Sequence, residues 1–180
     1  VLEAPDSAAV VAELRSAGLD IAHVRELLRQ DPSLANTVGE HEGYYLGAGA
    51  PLSNAAAAGR MDIVQLLLAH GAKADNGKVN DASLVLATQR GDAAMVSLLL
   101  RSGASPETTD ATGHTALWHA ACRDDAAVLA LLLGAGANVN AAAADGVTPI
   151  ACAAARGNDA SFDKLLRADA DVQVRTRSGD

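Results

Sequence analysis

His114, His119, Cys122 and Asp125 crowd into one short stretch and carry the donor types that hold divalent metal ions. Neither a His-x-x-x-His nor a Cys-x-x-Cys pair is present, however, and Asp125 is placed to cap a helix, so the spacing predicts no metal and no cofactor. A second constellation is cationic. Arg90, Arg123 and Arg156 recur at equal steps along the chain, each near the end of a helical segment. Guanidinium groups in such a row suit the carboxylates of an acidic partner segment, although arginine at a helix C-terminus also offsets the helix dipole. Tyr44 and Tyr45 supply half of the four aromatic residues and share a glycine-rich loop with Gly39, Gly43, Gly47 and Gly49. They are either interface anchors or pins that order the loop. Nucleophile-elbow, phosphate-loop and dinucleotide-binding motifs are all missing, so no catalytic residues are assigned and the chain reads as a non-enzyme.

The elements that must carry these side chains follow a fixed period. Gly71-Ala72, Gly103-Ala104, Gly136-Ala137 and a degenerate Asp169-Ala170 fall at almost equal steps, each after a leucine-rich helical pattern. Units of that length bury their apolar sides only against their neighbours. The clearest unit runs from Asp110 to Ala142. Thr115 opens a first helix, Asp124 and Asp125 interrupt it, a second helix runs through Leu133, and Gly136 ends it in a position suited to left-handed backbone. A shift of one period places Pro149 in the first turn of the next helix, where a missing N–H costs little.

Gly146-Val147-Thr148-Pro149-Ile150, the run from Leu131 to Ala137 and Asn138-Val139-Asn140 together resemble the ankyrin repeat family. The resemblance implies an all-α fold, a solenoid of stacked helix-turn-helix units with extended finger loops, within a single domain over residues 1–180. About five repeats are expected, at 5–36, 45–76, 77–109, 110–142 and 143–175, the first a diverged cap with helices over Ser7 to Ser16 and Ile21 to Arg29. An enlarged loop occupies 37–50, an irregular finger precedes Ser83, and 176–180 reads as the start of a further finger. First helices line the concave face of such arrays, which would put the three arginines about 10 Å apart. Trp118 stands where the family motif carries histidine and is expected to pack between repeats. The implied activity is protein binding through concave face and fingers, with candidate contacts at Tyr44, Tyr45, Gln89, Arg90, His114, Cys122, Arg123, Val147, Ala155 and Arg156. The alternative is a targeting or regulatory segment of a larger enzyme or secreted effector.

Composition bounds the partner class. A net charge of −8 argues against nucleic acid, which requires clustered excess Lys and Arg. No apolar run is long enough to span a membrane. Cys122 and Cys152 are too few for a disulfide scaffold and read as two reduced thiols, which places the protein in the cytoplasm, with a monomer favoured.

Overall fold

Each unit folds as two short helices because the sequence stops the chain twice per period. In the computed structural model, which describes residues 20–36, 50–75 and 83–173, α1 spans Ile21–Gln30 and leads into a 3-10 turn at Pro32–Asn36. Four helix pairs follow. They are α2 Pro51–Ala58 with α3 Met61–Ala69, α4 Ser83–Arg90 with α5 Ala93–Arg101, α6 Ala116–Cys122 with α7 Ala126–Gly134, and α8 Pro149–Arg156 with α9 Asp159–Leu166. Among the described residues the β pairing is limited to one isolated antiparallel bridge, Thr109 to Thr115. The helix expected at Ser7 to Ser16, the loop with Tyr44 and Tyr45, the finger before Ser83 and the segment 176–180 lie outside the described residues.

The caps are where the sequence predicts them. Thr115 and Thr148 accept hydrogen bonds from the amides of Trp118 and Ala151 at 3.2 and 3.4 Å, and Pro149 occupies the first turn. Asp92 and Asp125 cap α5 and α7 through Met95 N–H and Val128 N–H. First helices end in left-handed backbone at Gly59, Gly91, Asp124 and Gly157, one stop per unit in the same register. At Gly59 a Cβ would also meet the Arg90 guanidinium, the end of a flexible side chain that can swing aside, so positive φ is what calls for glycine at this stop. Asp124 holds φ 57° without being glycine, which costs about 1 kcal/mol. Its carboxylate accepts the Ser161 N–H of the next unit at 2.8 Å, a bond glycine could not make.

Packing runs in two layers. First helices α2, α4, α6 and α8 stack side by side, and their shared faces are alanine: Ala55, Ala56, Ala87, Ala120, Ala121 and Ala153 are all fully buried. Small residues let the axes approach closely, which explains an array with so few aromatic side chains. Second helices supply the other layer, α5, α7 and α9 packing in turn, and Leu67 of α3, Leu99, Leu132 and Leu165 give one buried leucine per helix pair at matching positions. Polar bonds at matching positions then fix the rotation between neighbours. Asn36 bonds both Gly71 C=O and Lys73 N–H, Glu107 accepts from Asn138 N–H, and Asn140 accepts from Asp171 N–H.

The composition predicts reduced thiols, and the structure corrects this: Cys122 and Cys152 form a disulfide between α6 and α8, with Cα atoms 5.4 Å apart. Equivalent positions recur one full period apart, as Arg123 and Arg156 do, whereas the two cysteines are separated by only 30. The shortfall is close to one helical turn, which turns the two side chains towards each other across the repeat boundary.

Thr88 is fully buried in α4 and its hydroxyl has no hydrogen-bond partner among the described residues. Exchanging it for the isosteric valine removes that uncompensated desolvation, so Thr88→Val is expected to raise stability by about 1 kcal/mol. A higher urea midpoint with unchanged slope would agree. A lower midpoint would mean that the hydroxyl is satisfied.

Candidate functional site

The finger before α6 folds back on itself through the Thr109–Thr115 bridge and the bond from Asp110 N–H to His114 C=O at 3.0 Å. Asp110 organises the turn. Its Oδ1 accepts from Thr112 N–H, the Thr112 hydroxyl and His114 N–H at 2.9, 2.6 and 3.0 Å. With Oδ1 committed to the backbone, Oδ2 faces α6 and lies 2.7 Å from His119 Nε2. Gln89 reaches the same nitrogen from α4, with its amide nitrogen at 3.2 Å. One imidazole nitrogen cannot donate to Asp110 and accept from Gln89 at once, so tautomer and amide orientation are linked here.

His114 completes the cluster. Its ring lies over Trp118 with centroids 3.7 Å apart, His119 meets both rings edge-on, and its Nδ1 contacts the Thr112 hydroxyl. Trp118, expected as a contact between repeats, thus packs on the finger of its own unit. Trp118 Nε1 and His114 Nε2 are both buried without a hydrogen-bond partner among the described residues. His114, His119 and Asp110 keep 17%, 16% and 24% of their side-chain surface exposed, so the cluster is reachable from solvent.

Charge is distributed unevenly across it. Burial pushes the Asp110 carboxyl up, but hydrogen bonds from Thr112, His119 and His114 outweigh it and hold the group at about 2. Burial also pushes His119 below its ordinary value, against the pull of Asp110 and with help from His114 and Arg123. At neutral pH the pair is a carboxylate beside a neutral imidazole.

Other candidate residues are more dispersed. Gln89, Arg90, Arg123, Ala155 and Arg156 are exposed at the ends of first helices, Val147 is half-buried in its finger, and Cys122 is buried in the disulfide. The arginines do not act alike. Arg90 donates to Ala57 C=O at 3.0 Å and Arg156 to Cys122 C=O at 3.4 Å, each satisfying a terminal carbonyl of the preceding first helix. Asn158 does the same for Ala121 C=O at 2.8 Å. Arg123 makes no such bond among the described residues. Of the metal candidates in the sequence, Cys122 is taken by the disulfide and Asp125 by its cap, whereas Asp110 joins the histidines. The available signal was its position at the foot of a finger that turns back onto α6.

A family model described as Ankyrin repeats (3 copies) matches residues 16–110 and again residues 84–176. No curated protein matches the chain. Among the described residues, no helix is long and apolar enough to cross a membrane.

Proposed function

The chain belongs to the ankyrin repeat family, whose members are generally protein-interaction modules, and from that premise we propose that it is a monomeric, non-catalytic scaffold that docks a partner protein. The observation that carries this reading is the contrast along each first helix. One side is buried alanine, and the other ends in exposed residues that recur at the repeat step: Gln89 and Arg90, then Arg123, then Ala155 and Arg156. Stacked units hold these side chains in fixed relative positions before any partner arrives, which lowers the ordering cost of binding. An acidic segment suits this row. Because Arg90 and Arg156 also tie neighbouring repeats together, Arg123 is the cleaner probe of recognition.

Arg123→Glu is expected to weaken a captured partner about three- to tenfold and to reduce the salt dependence of binding, with only a small drop in unfolding midpoint from the carboxylate placed at the C-terminal end of α6. Arg90→Ala should instead lower stability by up to about 1 kcal/mol through loss of the Ala57 carbonyl bond. Equal partner affinity for the Arg123→Glu variant and the parent chain would rule out docking on this row.

A second reading, the docking segment of a secreted protein, is favoured by the Cys122–Cys152 bond. Such bonds persist in oxidising compartments and are rare in the cytosol. Cell fractionation of the native host tests it, since recovery in the cytosol with free thiols would exclude secretion.

A further inference from the structure

We propose that Asp110, His114 and His119 form a binding site for one divalent transition-metal ion of the zinc class. One donor atom from each residue, two imidazole nitrogens and a carboxylate oxygen, lies within 4.8 Å of the others. One pair of them is closer still, His119 Nε2 and Asp110 Oδ2 at 2.7 Å, and His114 Nδ1 lies 3.7 Å from the other oxygen of the same carboxylate. An ion bound at about 2.0–2.2 Å to each ligand brings such atoms to comparable separations, so modest rotations of three partly exposed side chains suffice.

The donor set selects the ion. Two imidazoles and one carboxylate suit zinc, copper or nickel, whereas magnesium and calcium require oxygen ligands in larger numbers. Asp110 is already oriented, because Thr112 and the His114 amide hold Oδ1 and leave Oδ2 for the ion. That arrangement is the outer-shell support that metal-binding carboxylates need. His119 would coordinate through Nε2 as the Nδ1–H tautomer, giving up its hydrogen bond to Asp110 in exchange for a shared metal. His114 is steadied by the Trp118 ring beneath it. Three protein ligands leave at least one coordination position open, and Gln89 of the preceding unit stands beside the same imidazole. The site therefore belongs to the exposed first-helix side and not to the buried layers, so a bound ion has a position to offer an incoming group.

Calorimetric titration of tag-free protein with zinc chloride tests the assignment. One zinc per chain is expected, with a melting temperature that rises with zinc concentration and does not respond to magnesium. Asp110→Asn, His114→Ala and His119→Gln should each weaken zinc binding by more than about tenfold, since loss of an outer-shell partner alone reaches that size. His119→Gln keeps a donor for Asp110 and lies on the exposed side, so it serves if either of the others lowers the metal-free melting temperature. Absence of stoichiometric binding to the parent chain overturns the proposal. So does zinc binding by the His119→Gln variant equal to that of the parent, which would place the ion elsewhere, for instance at His23 or His70.

Discussion

Leu132→Ala lowers the free energy of unfolding by about 3 kcal/mol, while Leu166→Ala changes it by no more than about 0.5 kcal/mol. The two leucines lie on different faces of second helices one unit apart, Leu166 being one position past the equivalent of Leu132 and so about 100° further round its helix. Leu132 is fully buried, in the rung that also holds Leu67, Leu99 and Leu165, whereas Leu166 keeps 41% of its surface exposed. Truncating Leu132 removes the transfer energy of its side chain and leaves a cavity that stacked helices cannot close, because α7 is held between α5 and α9. A repeat array amplifies the loss. Each unit is stable only through its neighbours, so a defect in α7 weakens the interfaces on both sides and makes the two ends of the chain more independent. Urea unfolding followed by helix circular dichroism should show a lower midpoint and a shallower slope for Leu132→Ala. Comparable losses at both positions would mean that the leucine rung is not where the array derives its cohesion.

The features that were legible in the sequence are those that repeat. Gly103, Gly136 and Asp169 mark left-handed stops because the chain must turn at the same point in each unit. All three do hold positive φ. Thr115 and Pro149 mark helix starts for an equally local reason, since a cap depends on residues within one turn of itself. The leucine rung follows from the same period. What was not legible is contact between segments that no local rule relates. Asp110 reads as a solvated finger residue until the Thr109–Thr115 bridge folds it onto His119, nine positions along the chain. Helical spacing could not find that pair because a chain reversal separates its members. The arginines show a subtler failure. Their register was plain, but a period gives the distance to the next unit and not the direction of a side chain, so the bond from Arg90 to Ala57 C=O was unforeseen. Cys122 and Cys152 read as reduced thiols because their number alone points that way, and a count does not show that a separation of 30, one helical turn short of the period, brings the two side chains together.

Breaking the Cys122–Cys152 bond is expected to cost about 3–4 kcal/mol, the chain entropy released when a loop of 30 residues is opened in the unfolded state. The bridge spans one whole step of the array: the break after α6, all of α7, the finger and the start of α8. It therefore limits how far two neighbouring units can separate in the unfolded chain, and it adds a covalent tie to an interface otherwise held by alanine contacts and the bonds from Arg156 and Asn158. The natural comparison is one protein in oxidised and reduced form. With reductant present, the urea midpoint should fall, and the early loss should fall on α6 to α9, seen as faster hydrogen exchange there than in α2 to α5. A Cys122→Ala, Cys152→Ala double variant should match the reduced parent and be indifferent to reductant. Both cysteines are 6% exposed, and alanine suits the closely packed first-helix faces, so the variant should fold. His119 lies one turn before Cys122 on α6, so the reduced protein should also hold the Asp110 cluster less rigidly. If reductant left midpoint and exchange rates unchanged, the bridge would contribute nothing, and the interface between α6 and α8 would have to be stable through packing alone.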